Sequence, residues 1–243
     1  MHDLERFIDG FQRFQEQYFE QNPELYRDLK QGQHPSTLLI GCCDSRVDPA
    51  LLLGCDPGDI FTIRNVANLV PPCGGSNGRQ GVSAALQFAV TVLKVQRIIV
   101  LGHSCFGGIR ALMEEDFPRA ADTDFIGRWM SIADPARSRV QEKFAQASPA
   151  EKNRACELAA ILVSLKNLQT FPWLRQRVDN DHLTLHGWYF DMEAGALLAY
   201  SPRADAFLPL VCPLNWQSGS KEGQRLARDG NADDIGDRQQ RGG

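Results

Sequence analysis

Two groups of chemically reactive side chains stand directly after apolar runs of the chain. Cys42, Asp44 and Arg46 follow one run, and His103 and Cys105 follow another. Such runs are typical of buried parallel strands, whose carboxyl ends lie at one edge of a sheet and bind ligands there. Thiolate, imidazole and carboxylate are zinc donors, and a catalytic zinc keeps three protein ligands and one open position. A single cysteine or histidine is commonly structural, but the two groups together predict a zinc site.

The strands that position these groups are predicted from three apolar runs. We interpret 37–41, 60–64 and 97–102 as buried parallel strands. Between the last two, residues 81–93 carry apolar side chains at helical spacing. This pattern predicts the crossover helix of a right-handed βαβ unit.

The second half of the chain predicts more helices and a hairpin. Helices are expected around 125–146, with an interruption near Pro135, and at 149–168, with Ser148 as the N-cap. Residues 183–190 and 196–200 are interpreted as a hairpin-like pair of strands. The predicted fold class is α/β: a parallel-core β-sheet flanked by helices, with an N-terminal helical arm and an antiparallel C-terminal strand addition.

The two ends of the chain differ from its centre in composition. Residues 1–30 form the predicted arm, in which aromatic and aliphatic side chains recur at helical spacing up to Asn22 and Pro23. This apolar stripe either packs on the chain's own core or on a partner subunit. Residues 31–215 form the predicted catalytic domain. Residues 216–243 are polar and glycine-rich, and we expect a disordered tail there.

Composition excludes several classes of protein. The 243 residues carry a net charge of −4, and no basic run precedes the tail, so no nucleic-acid partner is expected. No segment has the apolar length of a membrane span, and the first residues lack the pattern of a secretion signal. We therefore expect no membrane association and a cytoplasmic location. The seven cysteines are an odd number, which favours metal binding or free thiols over a disulfide framework.

The reactive groups also carry a family resemblance. Cys42, Asp44 and Arg46 match the Cys-x-Asp-x-Arg motif of β-class carbonic anhydrases. The segment from Gly102 to Ile109 is similar to that family's second motif, and the likeness extends from about Gln33 to about Tyr200. The resemblance implies an enzyme that hydrates carbon dioxide reversibly to bicarbonate and a proton, with Zn²⁺ as cofactor. It also implies a homodimer or homotetramer.

The resemblance assigns roles to further residues. It is closer to the plant-like branch of the family, because Gln33, Phe61, Val66 and Phe88 fall where that branch has its substrate-binding residues. Asp44 and Arg46 are implied as catalytic. Asp44 either occupies the fourth zinc position or pairs with Arg46 and accepts a hydrogen bond from the reacting water.

The second motif departs from the family pattern. The family reads His-x-x-Cys, whereas Phe106 stands three residues after His103 and Cys105 stands two after it. In helical geometry residues two apart point roughly 200° around the axis, away from one another. Three interpretations remain open. Either a rewound loop lets Cys105 complete a zinc site with Cys42, His103 and Asp44; or Cys42, His103 and Asp44 bind zinc with water or another group; or the site binds little metal.

Two further functions fit the same scaffold. The chain is alternatively a catalytically weak or non-catalytic homologue that binds bicarbonate or a partner, for which Phe106 is the strongest argument. It is otherwise a hydrolase of carbonyl sulfide or carbon disulfide, which are also small linear molecules. Pocket shape would separate these functions, and the sequence does not show it.

Overall fold

The structure is a computed structural model that describes residues 2–74, 80–114 and 125–212. Its strands are β1 (Thr37–Cys42), β2 (Ile60–Asn65), β3 (Arg97–His103), β4 (Thr184–Asp191), β5 (Ala196–Ser201) and β6 (Ala206–Val211). Its α-helices are α1 (His2–Gln15), α2 (Pro23–Leu29), α3 (Pro49–Leu53), α4 (Gly81–Gln87), α5 (Gly107–Met113), α6 (Phe125–Met130), α7 (Asp134–Lys143), α8 (Pro149–Leu168) and α9 (Pro172–Asp179). Wider π-helical turns extend α1 through Glu16–Gln21 and α4 through Phe88–Val92, and 3₁₀ turns lie at Val66–Asn68 and Ser131–Ala133.

The strands form one mixed sheet in the order β2-β1-β3-β4-β5-β6. The first four strands are parallel, and β5 and β6 are added antiparallel. Cys42 is paired with Asn65, and His103 is paired with Phe190. The last residues of β1 and β3 therefore lie at the same edge of the sheet, where the sequence predicted the reactive groups to meet.

Helix α8 packs closely across the parallel strands. A Cβ atom on Gly102 would lie 2.6 Å from Cδ1 of Ile161, and one on Gly187 would lie 2.9 Å from its Cγ2, so only glycine admits this helix. The helix begins at a capping box in which Ser148 and Glu151 exchange hydrogen bonds, and Pro149 occupies its first turn. The close approach places the middle of α8 next to the loop that follows β3.

The fold class predicted from the sequence is confirmed, with differences at the level of elements. The three parallel strands, the crossover helix, the start and end of α8 and the β4–β5 hairpin lie where the patterns predicted them. Strand β6 was missed, because Pro209 interrupts its pattern and proline is confined to strand edges. The predicted disordered tail, 216–243, lies entirely outside the described residues. The division into arm, domain and tail stays a prediction.

The N-terminal arm leaves most of its apolar stripe uncovered. Phe14, Tyr18, Phe19 and Tyr26 contact one another, and the Tyr18 hydroxyl donates to Asp56 at 2.8 Å. The remaining apolar side chains of the stripe are exposed: Leu4, Phe7, Ile8 and Phe11. Within one chain the stripe therefore does not pack on the core of the described domain. In the described parts of the chain, no helix has both the length and the apolar character needed to cross a membrane.

Candidate metal centre

The loop that follows β1, residues 43–48, is called the first loop, and together with Cys42 at the end of β1 it holds the first reactive group. Cys42 is 6% exposed, and burial raises the pKa of its thiol. The Asp44 backbone N–H points at the Cys42 sulfur, 3.3 Å away. The Arg46 guanidinium forms a two-pronged contact with the Asp44 carboxylate, at 2.9 Å to Oδ1 and 2.7 Å to Oδ2. These hydrogen bonds hold the pKa of Asp44 well below its usual range, so the carboxylate is ionised.

A second arginine fixes the backbone of the first loop. Arg64, near the end of β2, donates to the carbonyl oxygens of Cys42, Asp44 and Val47, each at 2.9 Å. It also donates to the carboxylate of Asp48 at 2.8 Å. A single guanidinium thus binds three carbonyl oxygens of this tight turn of the chain and holds them together.

His103 is the last residue of β3 and is fully buried. One of its ring nitrogens makes a hydrogen bond and the other does not. Its Nδ1 lies 2.7 Å from the backbone oxygen of Ser104. A carbonyl oxygen only accepts, so Nδ1 carries the proton. Burial lowers the pKa of His103, which favours the neutral ring, and Nε2 is then an acceptor. Among the described residues Nε2 has no hydrogen-bond partner, and it lies 3.9 Å from Asp44 Oδ2.

The loop that follows β3, residues 104–106, is called the second loop, and it does not turn Cys105 toward the other predicted ligands. Cys105 has a left-handed backbone, with φ of 62°, so the local chain is unusual, but its side chain is exposed. Phe106 instead is 3% exposed, and its ring centroid lies 3.8 Å from that of His103. The interpretation in which a rewound loop makes Cys105 a zinc ligand therefore does not fit this arrangement. Apolar burial of Phe106 decides which side chain faces inward.

The donors that remain are Cys42, His103 and Asp44. Cys42 and His103 supply sulfur and an imidazole nitrogen, and the buried, unbonded Nε2 is what a metal ligand requires. Across the described ranges, no three histidine, cysteine, aspartate or glutamate side chains stand together closely enough to hold a metal ion. Asp44 is a further donor, with Oδ2 3.9 Å from His103 Nε2, and Arg46 holds its carboxylate. The donor chemistry fits zinc, provided that Asp44, and not Cys105, supplies the third ligand.

The four predicted substrate-binding residues do not lie together in one chain. Val66 follows β2 directly, at the same sheet edge as Cys42. Phe61 is paired with Leu38, four positions before the pairing of Cys42 with Asn65, which is about 13 Å along the strand. Phe88 accompanies Phe61, with ring centroids 5.9 Å apart. Gln33 is exposed and precedes β1, so it too lies toward the amino edge of the sheet.

Sequence reasoning missed two residues that support the centre. The hydrogen bonds from Arg64 to the first loop were not predicted, although a charged residue near the end of a buried strand indicates such contacts. Glu157 was not singled out at all. It is a charged residue among the apolar positions of α8, and such a residue indicates a buried polar contact. Its carboxylate accepts from the Phe106 N–H at 3.0 Å and from the Tyr189 hydroxyl at 2.7 Å.

The parallel-core sheet with a cysteine, aspartate, arginine and histidine crevice defines the class of β-type carbonic anhydrases. Comparison with known proteins agrees. The family model for carbonic anhydrase matches residues 37–197. The chain is 39% identical over 193 residues to β carbonic anhydrase 3 of Arabidopsis thaliana, covering 79% of this chain and 74% of that protein. It is 37% identical over 202 residues to a carbonic anhydrase of Synechocystis sp., covering 81% and 71% respectively.

Solved structures show the same relationship. The β-carbonic anhydrase CcaA has a TM-score of 0.77 and 35% identity, covering 85% of this chain and 99% of that one. A tetrameric β-carbonic anhydrase of Sordaria macrospora has a TM-score of 0.71 and 27% identity, covering 82% and 97%. The chain therefore belongs to the carbonic anhydrase family of enzymes and to its β class.

Proposed function

We propose that this chain catalyses the reversible hydration of carbon dioxide to bicarbonate and a proton, in the crevice between the first and second loops. The observation that carries the proposal is the buried Nε2 of His103, which has no partner among the described residues and faces Asp44. A nitrogen in that state is stabilised by a ligand that accepts its lone pair. The names of the relatives as carbonic anhydrases support the reaction.

The cofactor that we propose is Zn²⁺, held by Cys42 and His103, with Asp44 as a further ligand in one of the two states described below. When bound, zinc would supply the acidity that makes a water molecule nucleophilic near neutral pH. Arg46 has a separate task, because its two hydrogen bonds keep the Asp44 carboxylate ionised and oriented. Asp44 is then able to accept a hydrogen bond from the reacting water, or to release Arg46 and act as a ligand. These two states of Asp44 correspond to an open and a closed site.

The substrate pocket that we propose requires a second copy of the chain. Gln33, Phe61 and Phe88 lie toward the opposite sheet edge from Cys42, so they do not line the crevice of their own chain. A homodimer or homotetramer would bring them to the partner's crevice. Such an assembly would cover the exposed apolar side chains of α1 and of Val92. The Sordaria relative is tetrameric. A cytoplasmic location stays a prediction from the sequence.

Phe106 favours a second candidate function, that of a catalytically weak homologue that binds bicarbonate. Its ring contacts His103 where the family motif has a cysteine, so the centre lacks one thiolate. Fewer thiolates mean weaker zinc binding. The two functions differ in zinc affinity and rate and not in fold.

The experiment measures bound zinc by metal analysis and carbon dioxide hydration by stopped flow. In the wild type we expect about one zinc per chain and measurable hydration of carbon dioxide. In His103→Ala, zinc affinity and hydration rate are both expected to fall by about 100-fold or more. Cys105→Ser is the matched control and retains both. A wild type that binds bicarbonate, but binds no zinc and does not hydrate carbon dioxide, would establish the second candidate instead.

A further inference from the structure

The turn that follows β2, residues 65–70, has a backbone that needs support. Ala67 and Asn68 both lie in the left-handed region, with φ of 62° and 45°. Residues other than glycine disfavour that region, and they stay in it only where the surroundings hold them, commonly near a functional site. The Asn65 side-chain amide closes the turn, since it donates to the Leu69 carbonyl at 3.0 Å and accepts from the Leu69 N–H at 2.9 Å.

Helix α8 holds the far end of the 65–70 turn. The Ser164 hydroxyl donates to the Asn68 carbonyl at 3.1 Å and accepts from the Val70 N–H at 3.2 Å. The Asn167 side-chain amide donates to the Val70 carbonyl at 2.8 Å. These contacts fasten the end of the turn that is farther from β2. Its beginning, next to the crevice, is held by a different helix.

Helix α6 holds the beginning of the turn, where Val66 lies at the same sheet edge as Cys42. The Trp129 indole N–H donates to the Val66 carbonyl at 2.7 Å. The Val66 side chain packs at the start of α5, because a Cβ atom on Gly108 would lie 3.2 Å from Val66 Cγ1 and 3.2 Å from Met130 Sδ. Consecutive residues of α6 thus bind the backbone of Val66 and pack beside the same glycine as its side chain.

The hydrogen bond from Trp129 restricts the direction of the Val66 side chain. The Val66 carbonyl and the Ala67 N–H belong to one planar peptide group, so a donor that fixes the carbonyl oxygen fixes the whole plane. On one side of that plane is Val66, whose side chain packs against Gly108, and on the other is the left-handed backbone of Ala67. One bond therefore supports both the unusual backbone and the orientation of the valine.

We infer that Trp129 is a positioning residue that holds the Val66 side chain in the apolar wall of the crevice, where carbon dioxide would bind. The inference rests on the proposed function, because Val66 is the one proposed substrate-binding residue that lies at the crevice of its own chain. The Trp129 ring also packs on the neighbouring apolar core. The test must therefore separate the effect of the N–H from that of the ring.

The test compares two variants that each remove one hydrogen bond from a carbonyl of the turn. Trp129→Phe keeps an aromatic ring without the N–H, and Asn167→Leu removes the matched bond at the far end. In Trp129→Phe, the KM for carbon dioxide is expected to rise by about 3- to 10-fold while kcat stays within about 2-fold, since the wall binds ground state and transition state alike. Asn167→Leu is expected to keep the wild-type KM. An unchanged KM in Trp129→Phe, or an equal rise in both variants, would overturn the inference.

Crystal structures of the two variants give a second readout, which does not depend on activity. In Trp129→Phe the Val66 side chain is expected to lose its contact with Gly108, whereas in Asn167→Leu it keeps that contact. A Val66 side chain that stays against Gly108 in Trp129→Phe would overturn the inference whatever the KM. If the wild type does not hydrate carbon dioxide, the proposed function fails, and the position of Val66 still tests Trp129.

A second replacement at the same position keeps the test decisive if Trp129→Phe does not fold. The amino acid β-(3-benzothienyl)alanine has the shape of tryptophan, with sulfur in place of the N–H. Introduced at position 129, it removes the hydrogen bond and leaves the packing of the ring intact. The same criteria then decide the role of Trp129.

Discussion

The first and second loops meet at one sheet edge but are held in different ways. Arg46 and Arg64 hold the first loop from outside, through hydrogen bonds to its carboxylates and carbonyl oxygens. The second loop is held chiefly from inside, by burial of Phe106 and by the carboxyl group of Glu157, and Arg46 adds one hydrogen bond from the first loop, to the Cys105 carbonyl oxygen at 3.0 Å. A loop fixed by charged hydrogen bonds keeps its motif readable in the sequence. A loop fixed by burial depends on side chains far away in the chain.

The largest expected effect comes from replacing Phe106, the buried side chain of the second loop. Phe106→Cys is expected to lower the free energy of unfolding of the zinc-free protein by about 3 kcal/mol, because it leaves a void beside His103. The same change adds a thiol at the position of the family's cysteine, so zinc affinity is expected to rise at least ~10-fold. Denaturation with and without zinc measures both effects.

Phe106→Leu is the control for that change, since it fills much of the same space without sulfur. A rise in zinc affinity in both variants would mean that loss of the aromatic ring, and not the new thiol, improves the centre.

The buried Glu157 predicts how stability depends on pH. Its pKa is raised from 4.5 to about 7, so between these values the folded protein binds the proton and the unfolded chain has released it. Stability therefore falls as pH rises through this window, by an amount on the order of 3 kcal/mol, and the carboxyl group contributes this penalty in full above about pH 7.

Glu157→Gln removes the titration and is the matched variant. The difference in free energy of unfolding, wild type minus variant, is expected to decrease from pH 5 to pH 8 when both are denatured chemically. A difference that stays constant or increases over this range would contradict the assignment.

Arg64 tests the first loop. Arg64→Ala removes hydrogen bonds to three carbonyls and one carboxylate, and the free energy of unfolding is expected to fall by about 2 kcal/mol. Hydration should fall with it, because Asp44 loses its backbone support. Arg64→Lys, which keeps the charge but not the planar fork, should recover only part of either quantity. Full recovery by lysine would show that charge alone holds the loop.

The smallest effect is expected at Cys105. Because its side chain is exposed, Cys105→Ser should change the free energy of unfolding by less than about 0.5 kcal/mol. Thermal denaturation checks this value, and a clear loss of stability would place the thiol inside the fold.

The sequence predicted those parts of the molecule that local patterns determine. The apolar runs of the parallel strands, and Ser148 and Pro149 at the start of α8, lie within single segments and were interpreted correctly. The reactive groups were placed at one sheet edge because parallel strands dictate it. The sequence alone could have shown that Phe61 does not lie beside Cys42. Phe61 stands near the start of β2, whereas Cys42 stands at the end of β1.

Other features depend on contacts between distant segments. Whether Cys105 or Phe106 faces His103 follows from packing among several elements and from the hydrogen bond that Glu157 accepts across 51 positions of the chain. No spacing within the second motif encodes that bond. The role of Arg64 likewise depends on two strands that are neighbours only in the folded sheet.

X-ray absorption at the zinc edge of the zinc-loaded wild-type protein tests the central claim most directly, because it counts the sulfur atoms bound to the metal. Because Cys42 is the one cysteine that the proposed site includes, the account predicts one sulfur at about 2.3 Å and otherwise nitrogen and oxygen neighbours. Two sulfur neighbours, reduced to one in Cys105→Ser, would show that the second loop rewinds and would contradict the account.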